Sequence, residues 1–351
     1  MPAARVTAVY PHQAIEGGRI TIEGTGFPVD ESLLPDVRIG HLPARLVYAS
    51  PTRLIAIVPS GLDSGRSAIR VAGVPPVDAA LGVARSSIDD DFAFVDVAAP
   101  FAAGLHQVDN PVFDAGGNLF VTFSGTRGQD VPVSIFRVRP NGTRETFSSA
   151  IVNPTSMAID PKGRLYVSSR FEGTVYRLRE DGSAEPFARE LGIACGLAFD
   201  QDGALWVGDR LGTIFRVDRD GRATIAATLP PSVAAFHLAM GPDRALYVAG
   251  PTLSSHDAIY RVDADGTVTV RATGFGRPQG LAFDAAGTLH VVEALTGSNG
   301  LYRLPSGGEP ELVLAGSGLV GVAFDKAGGL VVCSNDMAYR LGGTPGPRRV
   351  Q

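Results

Sequence analysis

The chain has 351 residues, of which 44 % are hydrophobic, with 43 glycines, 25 prolines and a formal net charge of −5. This length and apolar content suffice to bury two cores, and so many turn-forming residues are typical of all-β domains. The negative charge gives no electrostatic basis for binding nucleic acid or an acidic membrane surface, and no apolar run is long enough to span a bilayer.

The first residues and the cysteines bear on localisation. Residues 1–5 lead directly into a predicted strand, without the apolar stretch of a secretory signal. Cys195 and Cys333 fall in different copies of the repeat described below, on opposite sides of the expected ring, so no disulfide between them is expected. Because lone thiols fit a reducing compartment, the sequence predicts a cytoplasmic protein.

Residues 1–97 carry a pattern of short apolar strands of their own. The clearest part is Gly-Gly-x-Ile-x-Ile-x-Gly-x-Gly-Phe at 17–27, and the last strand is expected at 92–97. Alternating apolar positions, with glycines at tight corners, are typical of two packed antiparallel sheets. The pattern resembles that of an IPT/TIG domain, a small immunoglobulin-like β-sandwich, and the resemblance implies a surface that can contact a protein partner.

Beyond this segment, one eight-residue stretch recurs six times. Its form is Asp-x-x-Gly-x-Leu-aromatic-Val or a close variant, and its copies are residues 114–121, 160–167, 200–207, 241–248, 284–291 and 325–332. The marker leucines recur at intervals of 46, 40, 41, 43 and 41 residues. This is the size of one four-stranded propeller blade, so the sequence predicts an all-β chain with a six-bladed β-propeller after the sandwich.

Each copy except the last contains four predicted strands. In the second copy they fall at 155–160, 164–168, 174–179 and 185–189, separated by glycine-containing turns. Apolar alternation with a period of two between such turns predicts an antiparallel meander. The aspartate that precedes the first turn is expected to bond the turn backbone and not to act as a catalytic acid.

The last copy lacks a fourth strand, because residues 342–347 read Gly-Gly-Thr-Pro-Gly-Pro. Upstream of the first copy, residues 98–102 read Ala-Ala-Pro-Phe-Ala, which resembles the fourth strand of the second copy at 184–188. We therefore expect the segment near 98–102 to complete the last blade. The predicted propeller then spans 98–345 and is followed by a tail at 346–351.

The propeller segment resembles the superfamily that contains NHL repeats and the senescence marker protein/gluconolactonase group. The resemblance rests on Gly-Leu-Ala-Phe-Asp at 196–200 and 280–284, each followed by the leucine-marked strand. It implies a metal-dependent hydrolase of sugar lactones or related esters, acting at the top of the central channel. A divalent cation, most often calcium, would be held by oxygen ligands, polarise the lactone carbonyl and lower the pKa of a bound water.

The ligand positions of that family are only partly filled. The first carboxylate position holds Asp109, and a later donor position holds Gln279, while the equivalent positions of the other blades hold Thr155, Cys195, Phe236 and Val320. Further donors nearby are Asn110, Asn153 and His237. The resemblance therefore implies a divalent metal on Asp109, Asn153 and Gln279 with an incomplete ligand set, and Asp109 and His237 as the catalytic residues.

The channel mouth should gather the loops that precede the first strand of each blade and the loops that join its second and third strands. Loops on a rigid scaffold commonly carry binding groups. The expected substrate-binding residues of these loops are Arg127, Arg170, Arg210, His256, Arg277 and Glu293. Arg170 and Arg210 stand five residues after the marker leucines of adjacent blades. They are either an anion-binding rim, which suits arginine forks, or solvated loop charges.

Three functions stay open at this point. The first expectation is a sugar-lactone or ester hydrolase, and the alternative is a non-catalytic propeller that binds a small anionic molecule or a peptide. The third is a lyase like the streptogramin-cleaving propellers, which would use a metal with His and Glu. His290 and Glu293 are its candidates, but three residues along one predicted strand place their side chains on opposite faces.

Overall fold

The computed structural model describes residues 5–29, 34–72, 93–98, 100–295 and 297–341. Every regular element in these ranges is a β-strand. The described part of the chain has no helix long and apolar enough to cross a membrane. The strands divide between two compact units: the first takes the described residues up to 98 together with 298–302 and 311–317, and the second takes the remainder.

Eight strands form the N-terminal part of the first unit. They are Arg5–Tyr10 (β1), Gln13–Ala14 (β2), Arg19–Thr25 (β3), Val37–Ile39 (β4), Leu42–Ala49 (β5), Arg53–Ile57 (β6), Gly65–Val71 (β7) and Phe94–Val97 (β8). In the sheet order, β1, β3, β6 and β5 are followed by β4, β7, β8 and β2. The strand expected at 92–97 thus starts at Phe94, and residue 92 lies outside the described ranges.

Alternation of apolar and polar side chains builds one core in this unit. In β3, Ile20 and Ile22 are fully buried, and they share a cluster with Ile39 of β4 and Val95 of β8. The glycine-rich run is required by packing at Gly24, where an added Cβ would lie 2.2 Å from the carbonyl oxygen of Arg5. A side chain at this position would separate β3 from β1.

The second unit is dominated by four-stranded antiparallel meanders. Three of them are Val112–Phe113, Leu119–Thr122, Ile135–Val138 and Arg144–Ser148 (β10–β13), Pro154–Ile159, Leu165–Ser169, Thr174–Leu178 and Ala184–Ala188 (β14–β17), and Ala194–Phe199, Leu205–Asp209, Thr213–Val217 and Ala223–Thr228 (β18–β21). The fourth is His237–Met240, Leu246–Ala249, Asp257–Val262 and Val268–Phe275 (β22–β25). The strand boundaries predicted for the second copy agree with β14 to β17 within two residues.

A fifth separate sheet is completed by a strand from upstream in the chain. It consists of Leu319–Phe324 (β30), Leu330–Ser334 (β31) and Met337–Leu341 (β32), with Pro100–Ala103 (β9) beside β32. Strands β9 and β32 are antiparallel, with Met337 opposite Ala103 and Tyr339 opposite Pro100. The expected closing segment at 98–102 therefore corresponds to a strand at 100–103, and residue 99 lies outside the described ranges.

The described residues form five separate four-stranded sheets where the sequence predicted six. The remaining copy forms Pro278–Phe283 (β26), Leu289–Glu293 (β27), Gly300–Leu304 (β28) and Glu311–Ala315 (β29), which follow one another at the end of a longer sheet. The physical reason is that β2 pairs in parallel with β29, through Gln13 opposite Leu314, and so extends this run of strands. The first strands of the six copies contact each other in the order β10, β14, β18, β22, β26, β30 and back to β10, a propeller-like ring.

The charged residues that recur among the copies of the repeat have structural partners. Asp160 shows the turn role, because its Oδ1 accepts hydrogen bonds from the backbone N–H groups of Lys162 and Arg164, each at 2.9 Å. Asp114, Asp200, Asp284 and Asp325 bond their turns in the same way. The expectation that these aspartates form turns is confirmed.

Arginines of the third strands pair with carboxylates. Such pairs among the described residues include Arg137 with Glu145, Arg177 with Glu185, Arg216 with Asp200, Arg261 with Asp243 and Arg340 with Asp325. The carboxylates belong either to the neighbouring fourth strand or to the turn after the first strand. These arginines therefore serve the sheets and not the channel.

Candidate binding site at the channel mouth

The segment that precedes β10 lies along the inner ends of neighbouring sheets and is held there by its own backbone. Gln107 donates its backbone N–H to the carbonyl oxygen of Asn335 at 2.8 Å, and the Asn335 amide donates to the carbonyl oxygen of Gln107 at 2.9 Å. The buried Gln107 side chain accepts from Thr122 N–H at 2.7 Å and donates to the carbonyl oxygen of Asp109 at 2.6 Å. The backbone of Asp109 is thereby fixed.

Asn110 holds the next residue of the same segment. Its Nδ2 donates to the carbonyl oxygen of Leu281 at 2.8 Å, and its Oδ1 accepts from Val322 N–H at 3.0 Å. Gly321 permits the close approach, because an added Cβ would lie 2.4 Å from the carbonyl oxygen of Asp109. Asn110 is thus a link between β26 and β30 and not a donor for a metal.

Asp109 and His237 meet inside the ring. The carboxylate Oδ1 of Asp109 lies 2.6 Å from Nδ1 of His237, and both side chains are almost completely buried. His237 begins β22, which stands three strands from β10 in either direction around the ring. The pair therefore spans the channel, and the carboxylate sets the orientation of the imidazole.

Three arginines gather beside this pair. Burial lowers the pKa of the Arg170 guanidinium, and the charges of Arg127 and Arg210 lower it further, against an opposing effect of Cys195. Arg170 donates from Nη2 to the carbonyl oxygen of Gly125 at 3.3 Å, and its buried Nε has no hydrogen-bond partner among the residues that the structure describes. The sequence placed Arg170 and Arg210 at equivalent positions of adjacent copies, and the structure brings them together as a cluster of like charges.

Cys195 lies among these charges but is not a nucleophile. Burial raises the pKa of its thiol to about 12, and the effects of Arg170 and Asp109 on that pKa place both charges near the sulfur. A thiol that stays protonated at neutral pH has little reactivity. His106 lies beside the same cluster, where burial and the Arg170 charge lower the pKa of its imidazole.

Arg210 and His256 line one cleft of about 570 Å³ at the mouth. Arg210 donates from Nε to the carbonyl oxygen of Ser232 at 3.3 Å. His256 is exposed on the loop between β23 and β24, and its Nδ1 lies 3.2 Å from Oγ of Ser255. Both residues were predicted to bind a substrate, and they are accessible from the same cavity.

Asn153, which was predicted to bind a metal, has a structural role. The Asn153 Oδ1 accepts from Gly128 N–H at 2.5 Å, and its Nδ2 donates to the carbonyl oxygens of Ser124 and Thr126 at 2.6 and 2.7 Å. Its amide therefore holds the loop that carries Arg127. A polar group consumed by backbone bonds in this way is poorly placed to bind a metal.

Glu293 is likewise occupied. Its buried carboxylate accepts from the backbone N–H groups of Gly276 at 2.9 Å, Arg277 at 3.0 Å and Leu295 at 2.7 Å. The carboxylate thus shapes the loop that presents Arg277, whose own buried Nε has no hydrogen-bond partner within the described part of the chain. Glu293 was predicted to contact the substrate, whereas its bonds make it a support for a predicted contact.

His290 and Glu293 do not form a common site. The buried His290 ring packs against Phe324, with ring centroids 5.0 Å apart, and burial lowers its pKa to about 4. It occupies the position that is aromatic in most copies of the repeat, as in Tyr166 and Tyr247. This location, together with the backbone bonds of Glu293, leaves the lyase interpretation without its two side chains.

The donors implied for a divalent cation do not fit one. The Oδ1 of Asp109 is bonded to His237 and the oxygen of Asn153 to Gly128, so Gln279 is the remaining member of the implied set. Calcium takes about six to eight oxygen ligands. Among the described residues, no group of three or more His, Cys, Asp and Glu side chains is arranged to hold a metal ion.

Sequence reasoning did not select Gln107, which positions Asp109. The one available signal was the polar stretch His-Gln-Val-Asp-Asn at 106–110, with four polar residues in five positions just before the first copy. Polar side chains on a segment that leads into a strand of a rigid scaffold are a place to look for a site.

No protein-family model matches the chain, and no curated protein matches it. Solved structures do resemble it. The gluconolactonase XC5397 from Xanthomonas campestris is 20% identical with a TM-score of 0.57, over 69% of this chain and 88% of its own. An auxiliary nutrient binding protein from Bacteroides thetaiotaomicron is 13% identical with a TM-score of 0.54, over 97% of each chain.

A catalytically inactive virginiamycin B lyase from Staphylococcus aureus, in complex with quinupristin, is also similar. It is 16% identical with a TM-score of 0.52, over 87% of this chain and 99% of its own. At such identities the likeness extends to the fold alone. The chain is therefore an all-β protein with a propeller-like ring, a fold that these binding proteins and enzymes share.

Proposed function

We propose that the protein binds a small anionic molecule at the mouth of its channel, through Arg127, Arg170 and Arg210. The observation that carries the proposal is the clustering of these three like charges without a carboxylate partner. Among the described residues, the hydrogen bonds of the Arg170 and Arg210 side chains go to backbone carbonyls, and no acidic side chain lies within ion-pair distance of either. Such a cluster is stabilised when an anion enters it.

The incomplete oxygen donor set supports binding over catalysis, because the lactonase interpretation relied on a divalent cation. The similar solved structures include both a nutrient binding protein, over 97% of this chain, and a lyase, over 87% of it, so they support the fold and favour neither role. We propose a non-catalytic role for the mouth, in which Asp109 and His237 close the channel below the bound anion.

The proposal also concerns the architecture. We propose that β26 to β29 form the sixth blade of the ring, and that residues 1–97 are an immunoglobulin-like sandwich of the IPT/TIG type, followed by a propeller at 98–345. The contacts of β26 with β22 and β30 support the sixth blade. The single core shared by β3, β4 and β8 supports the sandwich.

Isothermal titration with inorganic phosphate, gluconate and citrate tests the binding function. We expect at least one of these anions to bind the wild type, with affinity that falls as salt rises. The double variant Arg170→Ala, Arg210→Ala should bind it about 100-fold more weakly or worse, since a hydrogen bond to a charged group contributes about 1.5 to 3 kcal/mol. Arg261→Ala, on a third strand, is the matched control and should bind as the wild type does.

Two results would count against the proposal. One is the absence of binding by all three anions at low salt. The other is unchanged affinity in the double variant, which would make the mouth arginines ordinary solvated charges.

A second candidate function is hydrolysis of a lactone or ester, favoured by the Asp109–His237 pair at 2.6 Å. A carboxylate that orients an imidazole is a common arrangement for a general base, here one that would take a proton from an attacking water. The arginine cluster would then stabilise the negative charge that develops on the carbonyl oxygen.

Assay of the wild type against five- and six-membered lactones, with and without calcium or manganese, tests the second candidate. Turnover that is lost in His237→Gln and kept in His256→Gln would support it. Absence of hydrolysis under all these conditions would leave binding as the sole function of the mouth.

A further inference from the structure

We infer that the ligand is an amphiphilic organic anion, with its acidic head at Arg210 and an apolar tail in the adjoining cleft. This inference rests on the proposed anion binding and specifies its ligand. The cleft of about 570 Å³ is in the size range of small-molecule sites, about 300 to 1,000 Å³. Arg210 is one of its lining residues, so the cleft reaches one member of the arginine cluster.

The walls of the cleft are largely apolar. Its lining includes Pro230, Pro231, Val233, Leu253 and Tyr260. Leu253 is 94% exposed and Val233 is 39% exposed, so this apolar surface faces solvent in the absence of a ligand. A cationic group at one end and solvent-facing apolar walls along the rest match a molecule with an acidic head and a hydrocarbon body.

The walls are also held in place. Two successive prolines restrict the backbone at 230–231. The Ser232 hydroxyl lies 3.0 Å from the carbonyl oxygens of both Ala235 and Pro251, and Val233 N–H donates to Pro251 at 2.8 Å. Because little must be ordered on binding, most of the contact free energy is available to the ligand.

The acidic residue of the cleft does not oppose an anion directly. The buried Asp257 carboxylate accepts from Thr252, through the backbone N–H at 3.1 Å and the hydroxyl at 2.6 Å. These hydrogen bonds hold the loop that carries Leu253. The lining groups free to meet a ligand head are therefore Arg210 and the exposed His256.

Titration with straight-chain carboxylates tests the inference. Acetate, hexanoate, octanoate and decanoate are compared below the concentrations at which they form micelles, with octylamine and 1-octanol as probes without the negative charge. We expect affinity to rise about fourfold for each added CH₂ that enters the cleft, which corresponds to about 0.8 kcal/mol per CH₂. Octylamine should not bind, and 1-octanol should bind at least tenfold more weakly than octanoate.

Variants locate the two halves of the ligand. Val233→Ser with Leu253→Ser should reduce the gain from hexanoate to decanoate at least tenfold while acetate or phosphate binding stays unchanged. Arg210→Gln should weaken every carboxylate by a similar factor. Val233 and Leu253 are exposed and Arg210 is partly buried, so thermal unfolding checks that each variant remains folded.

The outcomes separate this inference from the binding function on which it rests. Arginine-dependent binding of phosphate or acetate without any chain-length dependence would overturn the amphiphilic ligand and leave anion binding in place. Absence of binding by phosphate, gluconate, citrate and all the carboxylates would overturn both.

Discussion

Arginines occupy two contrasting regions of this molecule. On the third strands of the sheets, arginines face carboxylates, as Arg261 faces Asp243 at 2.9 Å and Asp263 at 2.7 Å. At the channel mouth, the neighbouring charges of Arg127 and Arg210 lower the pKa of the partly buried Arg170 guanidinium. Folding stability explains the first arrangement, because each charge has a partner, but it gives no reason for the second.

The difference indicates which charges have a use outside the fold. Bringing like charges together in a partly buried place costs free energy, and proteins accept such local conflicts mainly at functional sites. The supports of the mouth strengthen this interpretation, since the buried side chains of Asn153 and Glu293 shape the loops that present Arg127 and Arg277. Rigid presentation of cations is what an anion site needs.

The largest effect on the free energy of unfolding is expected for the buried pair of Asp109 and His237. His237→Ala would leave the Asp109 carboxylate buried without its partner, and removing one partner of a buried pair costs about 3 to 5 kcal/mol. Urea unfolding of the variant measures this loss. In the double variant Asp109→Ala, His237→Ala, part of the stability should return, because no uncompensated carboxylate remains. A loss below about 1 kcal/mol in the single variant would contradict the role of this pair as a buried link across the channel.

The next effect is a dependence of stability on pH, and it belongs to the sheets. His290 has a folded pKa of about 4, against 6.5 for the free side chain, because of burial. Between these two pH values the imidazole of His290 is protonated in the unfolded chain and neutral in the folded chain. The contribution of the neutral His290 to stability is therefore complete above pH 6.5 and is lost as the pH falls to about 4. The loss amounts to about 3 kcal/mol.

His290→Phe, which keeps an aromatic ring beside Phe324, should remove this part of the pH dependence. The free energy of unfolding of wild type and variant is compared at pH 7 and pH 4, with the exposed His256→Phe as control. Parallel pH profiles for wild type and His290→Phe would mean that His290 titrates normally in the folded protein.

The repeat made most of the fold predictable. A spacing of about 40 residues and a leucine-marked strand define each meander, and the similarity of 98–102 to 184–188 anticipated β9 beside β32. The sequence did not predict that one of the six copies would belong to a longer sheet. This arrangement depends on the two-residue strand β2, which pairs in parallel with β29. Such a short pairing leaves no periodic pattern in the sequence.

The candidate site was predictable only in part. The equivalent positions of Arg170 and Arg210 indicated their proximity, because equivalent loops of adjacent blades are neighbours. The contact of Asp109 with His237 joins residues 128 positions apart in the chain. The structural roles of Asn153 and Glu293 depend on the directions of backbone N–H groups in loops, and composition carries no information about those directions.

A smaller effect directly compares the two classes of arginine. Arg261→Met should lower the free energy of unfolding by about 0.5 to 1 kcal/mol, the usual range for partly exposed ion pairs. Arg170→Met retains the apolar stem and removes a charge that has no carboxylate partner, so stability should stay equal or rise. Guanidinium unfolding at low salt measures both. If Arg170→Met were the more destabilising change, the mouth arginines would be part of the structural framework.

The smallest expected effect is that of a glutamate side chain introduced beside Arg210, where its carboxylate would compete with a bound anion. Leu211 follows Arg210 and is 67% exposed, so Leu211→Glu adds a negative charge beside the cluster without disturbing a core. An exposed ion pair contributes about 0.2 to 1 kcal/mol, so binding of phosphate should weaken by about 1.5- to 5-fold while stability stays the same or rises slightly. Leu211→Gln has a similar size without the charge and should bind phosphate as the wild type does. Equal weakening in both variants would show that Leu211 acts through its shape, whereas a loss confined to the glutamate variant would show that a carboxylate beside Arg210 competes with the ligand for the same positive charge.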